Sequence, residues 1–281
     1  MKHRFSALLL LFFLPTSCWA WWVKGHETIA RAAVATLPAD MPAFFRAGAA
    51  TVAQCAGDPD RWKNRAAVFL NVAQAPDHFV DLEDYEGHAF PEDRYKSIEL
   101  LIRLGKRPEK TGMLPYALME NFERLTVALY DHRQNPADEA IRAKCLVYAG
   151  VLSHFTGDAV MPLHTTRSYD GREGPDGKIV QKGIHAAIDS FPERYNLTSE
   201  EMARGIDGRD EASPWKRINE EIAHSHKLVD RCYGLDQSGG FAHPTDVSRA
   251  FILERCRAGV QFTADLYYAA WKKSATLQSP Y

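Results

Sequence analysis

Four stretches of the chain place apolar residues at the spacing of an α-helix. In the first, HETIARAAVATL (26–37), residues Ile29, Ala33, Val34 and Leu37 would share one face, and Pro38 follows directly. Three longer stretches show similar periodicity: PYALMENFERLTVALYDH (115–132), EAIRAKCLVYAGVLSHFTGDA (139–159) and FILERCRAGVQFTADLYYAAWKK (251–273). We predict a helix at each. Because the stretch 139–159 is mostly apolar, we expect its helix at the centre of the fold.

Strand-like alternation of apolar and polar residues is nearly absent, so the predicted fold class is all-α, a single multi-helix domain. The stretch TTRSYDGREGPDGKIVQKG (165–183) is rich in glycine and charge and predicts a long loop. Long loops inside compact domains are often functional. We find no internal repeat and no low-complexity linker, and we therefore predict one domain over residues 21–281.

The first twenty residues have the pattern of a secretory signal. MKHRF is basic, SALLLLFFLP is apolar, and CWA ends in a small residue. We predict cleavage after Ala20 and a secreted or periplasmic protein. A lipid anchor on Cys18 is the alternative, but PTSC is a poor match to the sequence that such an anchor requires.

Composition is that of a globular protein, with 281 residues, 46% of them hydrophobic and 25% charged. Cleavage after residue 20 would remove two basic side chains and no acidic ones, leaving 32 basic against 36 acidic side chains. This balance argues against capture of nucleic acid by net charge alone. A local basic cleft remains compatible with it.

Four cysteines follow the signal segment, at positions 55, 145, 232 and 256. An even number in an exported chain permits two disulfides, and Cys232 with Cys256 is the favoured pair because a loop separates two helix-like segments there. Buried free thiols are the alternative. The four are too scattered for a zinc–thiolate site.

The stretch HFTGDAVMPLH (154–164) carries the most suggestive chemistry. His154 and Asp158 are one helical turn apart, so both side chains leave the same face of the helix. Pro162 then ends the helix and brings the chain to His164. Imidazole nitrogen and carboxylate oxygen are typical zinc ligands, and this spacing therefore indicates a metal site.

Four further stretches repeat this residue chemistry. GIHAAID places His185 and Asp189 four residues apart; the others are PDHFVD with His78, GDPDRW with Asp58 and Asp60, and WWVKGH with His26. Each alone is a weak signal, since a surface ion pair or a helix cap explains it equally well. Together, in one helical chain, they favour a shared metal centre.

These stretches, in this order, resemble the superfamily of zinc-dependent single-strand nucleases and bacterial zinc phospholipases C. In that superfamily a mature N-terminal Trp, a GH pair, an HFxD segment, an HxxGDxxxPxH motif and an HxxxD or HxxxE pair hold three zinc ions. The resemblance runs from Trp21 to Asp189 and extends loosely to YYAAW (267–271). It departs at Met161, where both branches usually have Gln.

The resemblance implies that each of these motif residues is a metal ligand. The implied sets are His78, His154 and Asp158 with Asp60 or Asp58; His164, His185 and Asp189; and Trp21 with His26 and a bridging Asp158. Trp21 would bind through its α-amino nitrogen and carbonyl oxygen. This free amine exists only after cleavage at Ala20, so metal binding there would require removal of the signal segment. Asp60 is narrowly preferred over Asp58, because the number of residues between Asp60 and His78 is closer to the spacing usual in the family.

The resemblance also implies phosphodiester hydrolysis, with metal-activated hydroxide attacking phosphorus and Asp60 and Asp158 as the catalytic carboxylates. Phe79 and Asp81 would stack on and hydrogen-bond a base, and Arg61 is a further candidate substrate contact. We expect a monomeric endonuclease acting on single-stranded DNA or RNA. The alternative is a phospholipase C acting on lipid headgroups. Asp189 favours the nuclease, because the similar phospholipases carry Glu there.

Overall fold

The computed structural model describes residues 22–278, and nearly all of their regular structure is helical. The predicted all-α fold is therefore confirmed. The α-helices are α1 Val23–Ala35, α2 Ala43–Ala47, α3 Ala49–Ala56, α4 Asp58–Trp62, α5 Val68–Gln74, α6 Arg94–Arg103, α7 Pro108–Thr111, α8 Leu114–Gln134, α9 Glu139–Val160, α10 Ile184–Asp189, α11 Phe191–Arg194, α12 Ser199–Ala203, α13 Pro214–His226, α14 Val229–Gln237 and α15 Asp246–Ser274. Short 3₁₀ helices span Ala75–His78, Leu82–Tyr85 and Pro162–Thr165.

The helix at the centre, α9, begins and ends where its sequence directs. The Asp138 carboxylate accepts hydrogen bonds from the backbone N–H groups of Ala140 and Ile141, which satisfies two donors of the first turn. The helix stops at Val160 because Pro162 has no N–H to continue the ladder. This stop delivers the chain directly into the short helix that carries His164.

Helix α9 is buried along its second half and packs against α3, α8 and α15. Gly150 allows the close approach of α3, since a Cβ atom at this position would lie 2.4 Å from Cys55 Cβ. Helix α1 packs on α3, α15 and α9. The end of α9 is therefore enclosed by several helices, and polar side chains placed there are shielded from water.

The segment predicted as a long loop contains a small hairpin. Its two strands, β1 Arg172–Glu173 and β2 Ile179–Val180, are antiparallel, with Arg172 opposite Val180. The remainder of the segment is irregular, as its glycine and charge content predict.

The predicted Cys232–Cys256 disulfide is wrong for this structure. Cys55, Cys145, Cys232 and Cys256 are all free thiols. Burial raises the pKa of Cys232 to about 12, as expected for an unreactive thiol packed as a small apolar side chain.

None of the helices within residues 22–278 combines the length and the apolar character that crossing a membrane requires.

Candidate metal centre

Two of the predicted ligands lie in the last turns of α9 and are fully buried. His154 and Asp158 have no exposed surface, and His154 Nε2 lies 3.3 Å from Asp158 Oδ2. On its other side, His154 Nδ1 lies 2.8 Å from the carbonyl oxygen of Ala56, at the end of α3. The close packing of α3 on α9 therefore sets the orientation of this imidazole.

The Asp158 carboxylate lies between imidazoles from three parts of the chain. Besides His154, its Oδ1 atom is 3.6 Å from His26 Nε2 and 3.2 Å from His164 Nδ1. His26 comes from α1 and is itself fully buried, with its ring stacked on that of His154 at 3.9 Å between centroids. Asp158 thus has the central position that a bridging ligand requires.

Within residues 22–278, three groups of side chains place their donor atoms close enough to hold a metal ion, and we name each by one histidine. They are the His78 group (Asp60, His78 and His154), the His164 group (His164, His185 and Asp189) and the His26 group (His26, His154 and Asp158). In each group the donor atoms lie within 4.8 Å of one another, and every member is buried. The described predicted ligands therefore all converge, while Trp21 lies outside the described residues.

In the His78 group, the structure separates the two aspartates of GDPDRW. Asp60 is buried, with its Oδ1 atom 3.8 Å from His78 Nε2 and 3.9 Å from His154 Nε2. Lys63 Nζ lies 2.6 Å from the same oxygen. Asp58 instead forms a surface ion pair with Arg61, at 2.8 Å. Only Asp60 reaches the group.

In the His164 group, the rings of His164 and His185 are stacked, with centroids 5.0 Å apart and planes inclined by 6°. His185 Nδ1 lies 2.9 Å from Asp189 Oδ2, one turn further along α10. The backbone N–H of Trp22 donates to the carbonyl oxygen of Asp189 over 3.2 Å. The start of the described chain therefore lies beside this group.

The hydrogen bonds of three histidines fit the binding of cations. His78, His154 and His164 each direct Nδ1 at a backbone carbonyl oxygen, of Gln74, Ala56 and His78 respectively. Because a carbonyl only accepts, each neutral ring carries its proton on Nδ1 and keeps a lone pair on Nε2. These Nε2 atoms are buried and have no hydrogen-bond partner. Metal-ligating histidines show this same arrangement.

Two further observations support the fit. Both ring nitrogens of His26 and the Oδ1 atom of Asp189 are buried without a hydrogen-bond partner. Unpartnered buried nitrogen and carboxylate oxygen atoms cost about 1–3 kcal/mol each, and ligation of a cation removes that cost. Nitrogen and carboxylate oxygen together form a donor set suited to zinc.

Electrostatics within the cluster favour ionised carboxylate beside imidazole. Burial by itself would raise the pKa of Asp158, but His154 and His164 outweigh it and hold the pKa well below its usual range. Burial, assisted by His154, lowers the pKa of His26, and burial with Lys63 lowers that of His78. Neutral His26 and His78 are the forms that bind metal.

A cavity of about 370 Å³ opens from the cluster to solvent. Its lining consists of Lys63, Ala75, His78, Phe79, Asp81, Glu109, Lys110, Leu163, His164, Thr166, Tyr169 and His185. The predicted substrate contacts Phe79 and Asp81 both line this cleft. The third, Arg61, is absent from its described lining; Arg61 faces Asp58 and the carbonyl oxygen of Gln54 instead.

The backbone holds the Phe79–Asp81 segment in place from two sides. Val80 N–H donates to the carbonyl oxygen of His164, and Asp81 N–H donates to that of Thr111, at 2.8 Å and 2.7 Å. Burial, with Glu83 and Asp84 adding to it, raises the pKa of Asp81 to about 7. At neutral pH this carboxyl therefore exists in both protonation states, and its protonated form can donate a hydrogen bond.

Sequence reasoning missed several cleft residues, and Tyr169 and Lys110 are two of them. Tyr169 packs edge-on against His185, with ring centroids 5.8 Å apart, and Lys110 lines the cleft from α7. Tyr169 lies in the loop that composition marked as potentially functional, so a signal for it existed. Lys110 belongs to no motif, and only the tertiary fold brings α7 to the cleft.

A model of the S1/P1 nuclease family matches residues 21–186, more than half of the sequence, and the chain therefore belongs to this family. The matched segment contains every predicted ligand except Asp189. A comparison with curated protein sequences found no match.

Solved structures give a second comparison. The fold is similar to that of the alpha toxin from Clostridium absonum, with a TM-score of 0.51 and 14% identity over 90% of this chain. It spans 64% of that toxin's length, and at this identity the similarity concerns the fold alone. The alpha-toxin of Clostridium perfringens from an avian strain has a TM-score of 0.49 and 15% identity, covering 93% of this chain and 67% of the toxin.

Proposed function

We propose that this member of the S1/P1 nuclease family is a secreted, zinc-dependent endonuclease that hydrolyses single-stranded DNA and RNA. The observation that carries the proposal is the convergence of three buried donor groups around Asp158, beside an open cleft lined by Phe79. Family membership supports a phosphodiester hydrolase. Cleavage after Ala20, export and a monomeric state complete the proposal.

The His78, His164 and His26 groups would each hold one zinc ion, with Asp158 shared and Trp21 completing the third set. Zinc ions bound there would supply Lewis acidity, lowering the pKa of water and stabilising charge on phosphoryl oxygens. The protein's own residues keep the ligands in one orientation. The backbone carbonyl oxygens of Ala56, Gln74 and His78 hold the Nδ1 protons, so each Nε2 lone pair stays directed into the cluster.

The cleft supplies groups suited to a single strand. Phe79 offers an aromatic ring to an unpaired base, whereas a base inside a duplex has both faces already stacked. Lys110 offers positive charge to the phosphodiester, and Lys63, which is ion-paired with Asp60, lines the same cleft. Asp81, in its protonated form, can donate a hydrogen bond to a base edge. These roles favour an unpaired nucleic acid over a lipid headgroup.

A phospholipase C is the second candidate, because the HFxD segment and the same donor set occur in that branch of the sequence resemblance. Asp189, where those phospholipases carry Glu, supports the nuclease instead. The two functions share the metal centre and differ in what the cleft receives.

The decisive experiment combines metal analysis of the purified protein with a substrate panel. Denatured DNA, duplex DNA, RNA and phosphatidylcholine are supplied to the same preparation. We expect three zinc ions per chain, rapid cleavage of denatured DNA and RNA, and slow cleavage of duplex. If the protein hydrolyses phosphatidylcholine and none of the nucleic acids, the phospholipase function is supported and the nuclease function is rejected. If it binds zinc but hydrolyses none of the substrates, the metal centre has a structural role.

A further inference from the structure

Tyr169 is an aromatic residue of the cleft to which the proposed function assigns no role. It lines the same cavity as Phe79 and is 53% exposed. Its ring lies 5.8 Å from that of His185 between centroids, and the two planes meet at 89°. Because the rings are almost perpendicular, His185 covers at most one face of the tyrosine ring. An open aromatic face in a cleft is a surface on which an unpaired base can stack.

The lining of the cleft comes from two parts of the chain. The lining residues of the first wall lie within residues 63–81 and in helix α7, and they include Phe79. Those of the second wall lie within residues 163–185, and they include Tyr169. The two aromatic side chains therefore belong to different walls.

Each wall also carries its own candidate metal ligands. Phe79 directly follows His78, the ligand that names the His78 group. Tyr169 packs on His185, which belongs to the His164 group. Each aromatic residue thus neighbours a different donor group, and a phosphodiester bound at the cluster would have one of them near each group.

Hydrogen bonds hold both aromatic residues at these positions. The carbonyl oxygen of Phe79 accepts from the backbone N–H of Leu114, at the start of α8, over 3.1 Å. Asp170 follows Tyr169, and its Oδ1 atom accepts from two backbone N–H groups at the start of α10, over 2.7 Å and 3.4 Å. This ties Tyr169 to the helix that carries His185. A ring whose place is fixed in advance loses less entropy when a ligand binds.

The phosphodiester of a nucleic acid has one nucleoside on each side, and Phe79 is the stacking partner proposed above for one base. We propose that Tyr169 stacks on the base of the other nucleoside, so that the protein contacts the bases on both sides of the bond it cleaves. This inference rests on the proposed nuclease function and deepens it. It makes a dinucleotide with both bases present the smallest substrate that uses the whole cleft.

Four dinucleotides test the two-base contact: one with both bases, one without the 5′ base, one without the 3′ base and one with neither. The measured quantity is kcat/KM for the unchanged protein, Tyr169→Ala and Phe79→Ala. With both bases present, Tyr169→Ala should lower kcat/KM by about 5-fold to 150-fold, the effect of losing one base stack. Once the base that meets Tyr169 is missing, the same substitution should have no further effect. Phe79→Ala should show this pattern with the opposite base.

Tyr169→Phe and Tyr95→Ala are the control variants. Tyr169→Phe keeps the ring and should cleave all four dinucleotides as the unchanged protein does. Tyr95 lies in α6, is 77% exposed and is absent from the described lining of the cleft, so Tyr95→Ala should also cleave them normally. Tyr169→Ala should keep its full zinc content, because the hydroxyl and ring of Tyr169 belong to none of the donor groups.

Two results would overturn the two-base contact in a protein that cleaves dinucleotides. An equal effect of Tyr169→Ala on all four dinucleotides would mean that Tyr169 only supports His185. Cancellation of both substitutions by removal of the same base would mean that Phe79 and Tyr169 contact one base together. A zinc-loaded protein that cleaves none of the four would refute the nuclease function itself, so the two failures are distinguishable.

Discussion

The imidazole of His164 donates its Nδ1 proton to the backbone carbonyl oxygen of His78, over 2.8 Å. His164 belongs to one donor group and His78 to another, so the backbone at one group orients a ligand of the next. Because the carbonyl takes the Nδ1 proton, the Nε2 lone pair of His164 remains available to the group it shares with His185 and Asp189. The groups are therefore coupled through the backbone as well as through Asp158.

Replacement of His164 tests this group directly. His164→Ala removes one nitrogen ligand, and we expect bound zinc to fall by at least one ion per chain and turnover by at least about 100-fold. Metal analysis and cleavage of denatured DNA measure the two effects. His243→Ala, which changes an exposed histidine outside the cluster, should alter neither. A fully active His164→Ala variant would contradict the assignment.

Sequence could predict four of the helices, α1, α8, α9 and α15, and the candidate ligands, since i, i+4 spacing and apolar periodicity are local properties. It favoured Asp60 over Asp58 only narrowly. Both lie in the same short helix α4, and the choice depends on which side faces α9 after packing. In the structure the side chain of Asp60 is fully buried, and that of Asp58 is 33% exposed, which favours Asp60 as the candidate ligand.

The pair Asp60→Asn and Asp58→Asn tests that distinction with one chemical change. Asp60→Asn removes an anionic ligand from the His78 group, and we expect loss of zinc and a drop in turnover of at least about 100-fold. Asp58→Asn breaks only a surface ion pair with Arg61, worth up to about 1 kcal/mol of stability. Metal content and turnover of the two variants decide between them. The reverse result would move the ligand to Asp58.

Helix α5, none of whose residues is buried, shows a second limit of sequence reasoning. VFLNV (68–72) contains four apolar residues in five, a composition that usually indicates core. Whether such a run is buried depends on what the fold places above it, and residues distant in sequence determine this. Lys110 escaped prediction for the same reason, because tertiary packing alone brings α7 to the cleft.

A free amino group on Trp21 is the third testable feature. Trp22 N–H already donates to the carbonyl oxygen of Asp189, which puts the start of the described chain beside the cluster. Protein beginning at Trp21 should bind one more zinc ion than protein carrying an extra Gly-Ser before it, since an amide nitrogen is a far poorer ligand than a neutral amine. The same dipeptide at the C-terminus is the control. Identical metal content in both forms would remove the amino group from the ligand set.

The raised pKa of Asp81 predicts a pH-dependent stability. Burial, together with Glu83 and Asp84, raises this pKa to about 7, whereas an unfolded chain has about 3.9. Between these values the folded protein retains the proton and the unfolded chain loses it, so the Asp81 contribution to stability is complete below pH 4 and lost as pH rises through 7.

Asp81→Asn removes this titration. We compare the unfolding free energy of the variant with that of the unchanged protein. This difference should be about 2 kcal/mol more favourable to the variant at pH 8 than at pH 4. The figure is roughly half of what the pKa shift alone would give, because the side chain keeps some contact with solvent. Urea unfolding at the two pH values measures the difference. Glu123→Gln, at an exposed carboxyl of α8, is the control. A pH-independent difference for Asp81→Asn would refute the prediction.

Gly150 connects the packing of the fold to the orientation of a ligand. A Cβ atom here would lie 2.4 Å from Cys55 Cβ and 2.7 Å from the carbonyl oxygen of Val52, both in α3. Gly150→Ala should therefore push α3 away from α9 and cost about 1–3 kcal/mol of unfolding free energy. The same displacement moves the Ala56 carbonyl oxygen away from His154 Nδ1, so zinc affinity should fall as well.

Gly234→Ala is the matched control for this substitution. Gly234 is also helical, but a Cβ atom there meets nothing within 4 Å. Alanine should then leave zinc affinity unchanged and raise stability by about 0.5–1 kcal/mol, because it lowers the entropy of the unfolded chain. Chemical unfolding and zinc titration of both variants separate the two effects. If Gly150→Ala lost stability but bound zinc as tightly as before, the α3 carbonyl would not be what orients His154.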